Sequence, residues 1–233
     1  MTQKKAVILF SGGADSTTVV AIAKDQGYAP YALSFDYGQR HRVELARAKI
    51  AATLLKIVEH KIIEINLRVF GKSALTDDID VPKDQLNKHR IPVTYVPARN
   101  TIFLSYALAW AETIGATNIF IGANVVDYSN YPDCRPEYLA AFEKMANLAT
   151  AIGLKNQDIK IHAPLLQMSK SDIIKTGLGF GVDYANTLSC YDPDENGRSC
   201  GHCDSCVIRL NAFKTLGIKD PISYATTRSV SSI

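Results

Sequence analysis

Long apolar runs are missing from this sequence. None approaches the roughly 18 residues that a membrane-spanning helix needs. The first residues, Met1 to Lys5, pass straight into a strand pattern with no leader, so a cytoplasmic protein is expected. Charge of one sign is also lacking: 26 Lys and Arg face 23 Asp and Glu, a net +3, short of a nucleic-acid-binding footprint. Cysteine is scarce before residue 190, where only Cys134 occurs, and then four fall together. In a reducing compartment that crowding favours a metal over disulfides. Two nucleotide motifs are absent as well. No GxxxxGK[ST] loop offers a lysine to terminal phosphates, and no GxGxxG opens a helix after a strand. Gly177 to Gly181 follows no strand and is expected to stop a helix.

What is present starts at residue 10. Phe10, Ser11, Gly12, Gly13, Ala14, Asp15, Ser16, Thr17 and Thr18 follow the apolar run Ala6–Leu9, and Val19, Val20 and onward have helical character. Adjacent glycines let backbone N–H groups approach an anion, hydroxyls add donors, and the helix start near Asp15 aims its dipole at the same spot. Phosphate is the expected occupant. The string SGGADS resembles the SGGxDS pyrophosphate loop of the ATP-pyrophosphatase superfamily, which splits ATP between its α and β phosphates and adenylates an oxygen of its substrate.

Further strands are expected at 31–35, 61–65, 118–122 and 159–165. A helix over 43–58 has Leu45, Ala48, Ala52 and Leu55 on its apolar face. The order predicts an α/β fold, a doubly wound parallel five-stranded sheet, with ligands at the carboxyl ends of its strands. The turn Asp36–His41 lies at such an end, and Tyr37 and Gln39 are candidates to touch ligand. Residues 70–96 lack a period and form a loop, insertion or lid. Arg99 and Asn100 stand at the entrance of a helix over 101–114, where the arginine can meet a phosphate or carboxylate, or can cap locally. A loop after the fourth strand carries Asp127, Tyr128, Tyr131, Asp133, Arg135 and Glu137, a mixture suited to a flat polar heterocycle. A helix over 137–152 is expected to turn Leu139, Phe142, Met145, Ala146 and Ala149 inward. Lys170, opening another helix, either reaches a phosphate or is an exposed first-turn residue, and His162 is taken as structural.

Cys190, Cys200, Cys203 and Cys206 end in CxxCxxC spacing and match tetrahedral zinc. Iron–sulfur ligation is the alternative, although the usual following Cys-Pro is missing. A closed four-thiolate shell implies a stabilising role, clamping the helix that contains Val207, Leu210 and Phe213. That helix can also face a twin subunit in the expected homodimer. Residues 1–185 are expected to form the ATP-splitting domain and 186–233 a helical zinc-binding module.

Three further strings carry a closer resemblance. Val96–Asn100 is similar to the PGRN motif of the 7-cyano-7-deazaguanine synthases, with Ala98 for glycine. DYSNYPDCRPEY is similar to their DYSGYPDCRPEF signature, and the cysteine segment to their C-terminal module. The resemblance implies a ligase that converts 7-carboxy-7-deazaguanine, ammonia and ATP to the nitrile, a queuosine precursor, with Mg²⁺ on the phosphates. It implies that Phe10–Val20 bind the nucleotide, with Ser11, Asp15, Ser16 and Arg99 acting in catalysis. Arg99, Asn100, Asp127, Tyr128, Tyr131, Asp133, Arg135 and Glu137 would then bind substrate. With no room for a glutaminase domain, ammonia is expected from solution. The competing readings are a tRNA thiolase with Cys134 as sulfur carrier, and a zinc-knuckle RNA-binding protein, which needs a basic face where Asp192, Asp194, Glu195 and Asp204 lie.

Overall fold

The structure, a computed structural model, describes residues 3–39, 43–84, 90–126, 131–155 and 157–225. Five parallel strands, β1 (Lys4–Leu9), β2 (Tyr28–Asp36), β3 (Glu59–Glu64), β4 (Asn118–Phe120) and β5 (Lys160–His162), lie in the order β3-β2-β1-β4-β5. The expected parallel five-stranded sheet is therefore present. Its order reverses between β1 and β4, and the crevice beyond their carboxyl ends is where such a sheet receives a ligand.

Alternation along β1 divides the core in two. Val7 and Leu9 face α3 (Arg99–Ile114) and α4 (Pro136–Ala149), packing with Leu104, Ala107 and Phe142. Ala6, Ile8 and Phe10 face α1 (Ala14–Asp25) and α2 (Val43–Leu54), packing with Val19, Val20 and Ala48. Helix α1 is buried on almost every side, because α6 (Lys170–Gly179) covers it and α7 (Asp204–Thr215) lies against α6.

Several local expectations are corrected. The helix foreseen over 137–152 breaks at Thr150, which leaves helical geometry, donates to the Ala146 carbonyl and accepts from the Gly153 N–H of the short α5 (Ala151–Leu154). Met145 is 40% exposed, and Ala149 is exposed too. The core stripe of α4 is thus narrower than the periodicity suggested. Phe213 belongs to this chain's own core beside Tyr184 and Ala14, so it does not face a twin subunit. His162 is structural, stacked on Phe120 and hydrogen-bonded to Asn118.

Candidate active site

Above the carboxyl ends of β1, β2 and β4 lies a cavity of about 270 Å³. Its rim begins with the residue-10 loop, of which Phe10, Ser11, Gly13, Ala14, Asp15 and Ser16 line the space. Gly12 sits beneath at φ +77°, where a Cβ would meet the Ala48 Cα at 2.8 Å. Only glycine suits that left-handed, crowded position. Thr17, Thr18, Val19 and Val20 do not line the cavity. Thr18 hydrogen-bonds the Ala14 carbonyl and the Tyr184 hydroxyl, while Val19 and Val20 are core. The loop's N–H groups are turned toward hydroxyls: Ser11 N–H to Ser16 Oγ at 3.1 Å, Gly13 N–H to Ser11 Oγ at 3.2 Å, and Ala14 N–H to Ser189 Oγ at 3.3 Å. Such a ring of donors at a helix N-terminus suits a pyrophosphate.

Lys170 resolves neither as free phosphate ligand nor as exposed residue. It is 6% exposed, and its Nζ contacts both Asp15 oxygens at 2.6 and 2.7 Å. The capping box of Ser169 and Asp172 fixes the α6 start that delivers it.

Arg99, the first residue of α3, enters from the opposite wall. Ala98 before it is left-handed at φ 54°, the geometry that explains glycine in the resembling motif. Around the guanidinium stand Tyr37, whose ring centroid is 6.0 Å away, together with Tyr131, Tyr191 and Asp133. Their partial and full negative charge holds the arginine protonated more firmly than usual, against the opposing effect of burial. Tyr37 is pushed up to about 12 by burial, so it remains a neutral phenol. Phe103, stacked on Phe35 at 3.9 Å, completes an aromatic wall.

The predicted substrate residues divide. Asn100 and Tyr131 line the cavity. Asp133 is buried and does not line it; its Oδ2 accepts the Asn100 N–H at 2.9 Å, and Asn100 Nδ2 donates to the Asp133 carbonyl at 3.1 Å. This pair fastens the 131–134 turn to the start of α3. Arg135 and Glu137 are exposed and outside the cavity lining. Asp127 and Tyr128 fall outside the described residues. Cys134 lines the cavity but is buried, which pushes its thiol up to about 11.

Among the lining residues not singled out from the sequence are Glu44, Leu75, Phe103, Ser189 and Tyr191. Glu44 lies in the first turn of α2, at the carboxyl end of β2, so the sheet rule already pointed to its neighbourhood. Ser189 and Tyr191 flank Cys190, and only the folded chain brings that cysteine to the phosphate loop.

Cys190, Cys200, Cys203 and Cys206 converge, with all four Sγ atoms within 4.8 Å of one another and two pairs at 4.0 Å. Tetrahedral thiolate ligation at about 2.3 Å places sulfurs a little under 4 Å apart, so one ion fits; an iron–sulfur cluster needs a wider set. The N–H groups of Asp192 and Cys200 point at Cys190 Sγ, and those of His202 and Cys203 at Cys200 Sγ. The 71–84 segment docks here. Ala74 and Val81 pack on the cysteines, Lys83 pairs with Asp192, and Asp84 meets His202. The module also touches the phosphate loop, since Leu188 N–H donates to the Gly12 carbonyl at 3.3 Å.

Comparison with known proteins agrees with this geometry. Residues 5–217 match the family described as "Queuosine biosynthesis protein QueC". Proteins named 7-cyano-7-deazaguanine synthase from Citrifermentans bemidjiense and Stutzerimonas stutzeri are each 60% identical to this chain. The match covers 95% of this chain and 98% of the first relative, and 96% of this chain and 100% of the second. Among solved structures, an NMN synthetase from Francisella tularensis is similar at TM-score 0.50 and 19% identity, over 93% of this chain and 79% of that one. A 4-thiouridine synthetase in complex with RNA and ATP is similar at TM-score 0.50 and 17% identity, over 91% and 54%. These two likenesses speak to the fold alone.

Proposed function

The chain belongs to the QueC family of queuosine biosynthesis, whose curated relatives are 7-cyano-7-deazaguanine synthases, and from that premise we propose how its cavity makes a nitrile. The chain is an enzyme of this class. The substrates we assign are 7-carboxy-7-deazaguanine, ammonia from solution and ATP. Converting an acid to a nitrile removes two waters, so a poor leaving oxygen must be activated twice. Adenylation can serve both times: ammonia displaces AMP from the acyl adenylate to give the amide, and the adenylated amide then loses AMP to give the nitrile. The observation that carries this reading is one cavity joining an anion-binding loop without a Walker lysine to an arginine inside an aromatic wall.

In this mechanism the N–H groups of Ser11, Gly13 and Ala14 and the hydroxyls of Ser11 and Ser16 hold the phosphates. The deazapurine lies against Tyr131, Tyr191 and Phe103. Arg99 attracts the substrate carboxylate and offsets the charge that grows on the carbonyl oxygen when ammonia adds to the acyl adenylate. Asp133 acts through Asn100 as a positioning residue. The exposure of Arg135 and Glu137 supports contacts only at the mouth. Mg²⁺ bound with ATP would neutralise phosphate charge, held chiefly by the nucleotide and water. Lys170 already engages both oxygens of Asp15, so Asp15 would meet that ion only from outside.

Zinc is the metal we assign to the four thiolates, on their all-sulfur donor set and spacing. We take residues 1–185 as the ATP-splitting domain and 186–233 as the metal module. A homodimer in the cytoplasm is the expected form; among the described residues no helix is long and apolar enough to cross a membrane. A role without nucleic acid is supported by charge pairing at the module: its Arg198 and Arg209 pair with Asp194 and Asp220, and Lys83 of the docked 71–84 segment with Asp192. A buried thiol raised to about 11 is a poor sulfur carrier, which weighs against tRNA thiolation.

The test is turnover of 7-carboxy-7-deazaguanine with ATP, Mg²⁺ and ammonium, following the nitrile by mass and the nucleotides by chromatography. Nitrile with AMP is expected. ADP as the product would overturn the adenylation route while keeping the substrate, and no turnover by folded, zinc-loaded protein would overturn the assignment.

A further inference from the structure

We propose that Glu44 binds the ammonium ion and accepts its proton, releasing ammonia beside the phosphate loop. The inference rests on the nitrile-forming reading above, which requires a nitrogen nucleophile at the acyl adenylate.

Charge balance in the cavity is the first reason. Its lining is built to attract anions, with Arg99 and the donors of the phosphate loop, yet two carboxylates face it among the described residues, Asp15 and Glu44. Lys170 takes both oxygens of Asp15. Among the described residues no lysine pairs with Glu44; the cation that acts on it is Arg99. Gln39 Nε2 donates to the Glu44 Oε1 at 3.2 Å, an orientation fixed by Gln39's own Oε1, which accepts the Tyr37 N–H. A small cation is the ligand that a carboxylate in this setting suits.

Position is the second reason. One helical turn beyond Glu44, Ala48 packs directly on Gly12, so the start of α2 is laid against the end of the cavity where adenylation occurs. The other use for a carboxylate here would be to accept from the N1–H and amino group of the deazaguanine. Those atoms lie across the bicycle from the 7-substituent. With the reacting carboxyl group at the phosphate loop, the guanidine-like edge points away from Glu44.

Basicity is the third. The groups facing Glu44 are Arg99 from α3, and Asp36, Tyr37 and Gln39 from the end of β2 and its turn. Burial dominates and raises the carboxyl to about 7, with Arg99 and Gln39 opposing and Asp36 assisting. Such a carboxylate is ionised above neutrality yet takes up a proton more readily than an ordinary glutamate. The step balances without oxidant or reductant. Ammonium and carboxylate give ammonia and carboxylic acid. The ammonia lone pair then forms the C–N bond, the C–O bond to AMP breaks with its electron pair on AMP, and the surplus N–H proton passes to solvent.

The experiment compares wild type with Glu44→Gln in the zinc-loaded full chain. Two readouts are steady-state kinetics in ammonium at several pH values and acid-dependent exchange of labelled pyrophosphate into ATP without ammonium. The expected result is a loss of at least tenfold in kcat/KM for total ammonium at pH 7. In the variant this parameter should climb tenfold per pH unit with free ammonia, while exchange and the KM of the acid stay within about threefold. Hydroxylamine, neutral at pH 7 and needing no deprotonation, should form the hydroxamate at similar rates with both proteins. An unchanged KM for ammonium, a raised KM for the heterocycle instead, or equal losses with both nucleophiles would overturn the proposal. Wild type that makes no nitrile would refute the nitrile-forming reading itself, and wild type without acid-dependent exchange its adenylation route; the ammonium site falls with either.

Discussion

Replacing Arg209 with Met should unfold this protein well below its normal transition. Arg209 is 1% exposed and Asp220 is 7% exposed. Arg209 Nε and Nη2 donate to the two Asp220 oxygens at 2.7 and 2.9 Å, while Nη1 reaches Thr187 at 2.7 Å and Nη2 the Tyr184 carbonyl at 3.1 Å. Methionine refills much of the volume and leaves Asp220 with the Tyr224 hydroxyl and the Ile222 N–H. Removing one partner of a buried pair costs about 3–5 kcal/mol, because the remaining charge is stranded. For a chain of this size each kcal/mol moves the midpoint roughly 2–4 °C, so a fall on the order of 10 °C is expected in a thermal melt of the zinc-loaded protein. The double variant R209M/D220L removes the stranded charge and should recover part of the loss. A single variant within about 1 kcal/mol of wild type, measured by urea unfolding, would refute the reasoning, since it would mean that the carboxylate finds water or another partner.

At position 98, the left-handed backbone costs an L-residue roughly 1–2 kcal/mol, and glycine gives back about 0.4–1 through the unfolded chain. Ala98→Gly should therefore match or exceed wild type in urea midpoint while Ala98→Val falls below it, and any other order would sink the argument. Glu44 carries a folded-state carboxyl raised from 4.5 to about 7. Its contribution is present below about 4.5 and is lost as pH rises through about 7, up to ~3 kcal/mol for a shift of this size. Glu44→Gln should thus be more stable than wild type at pH 8 and gain little at pH 5; equal urea midpoints at pH 8 would contradict this. Stripping the metal should free Leu188 from the Gly12 carbonyl of the phosphate loop. One hydrogen bond at about 1 kcal/mol predicts a loss of roughly fivefold in ATP affinity by calorimetry, and unchanged affinity in folded apo protein would detach the cysteine segment from the site.

The sheet and its loop were legible because their physics is local. Four apolar residues, two glycines and a run of hydroxyls set out strand, turn and helix within Ala6–Ala23, and nothing distant has to be known. The cysteine cluster was legible for the same reason. Helix α4 was less so: its periodicity promised burial for Met145, but the sheet offers only enough surface for Leu139, Phe142 and Ala146. Arg99, Tyr37 and Tyr131 were each singled out but not as one group, and Tyr191 was missed, since the three tyrosines come from three distant segments. Asp133 had the composition of a ligand reader and proves to hold Asn100, a distinction that residue type alone does not encode. Lys170 and Asp15 lie 155 positions apart, and only the packing of α6 on α1 joins them.

That packing changes what the four-cysteine cluster is for. A thiolate shell placed at the far end of a chain suggests a clamp whose loss merely loosens a terminus. Here the polypeptide leaving Tyr184 passes the buried Arg209, then Thr187, and reaches Gly12 and Ala14 through Leu188 and Ser189 before entering the shell at Cys190. The next residue, Tyr191, faces Arg99 across the cavity. On the other side the shell holds the 71–84 segment, whose Leu75 forms part of the same wall. Three pieces of the cavity with no regular secondary structure of their own therefore share one anchor. Backbone without a helix or strand ladder costs conformational entropy to order, and a tetrahedral ion is a compact way to fix several such segments at once. The cysteine segment is a wall of the cavity, and Cys190 stands directly between Ser189 and Tyr191, which both line it.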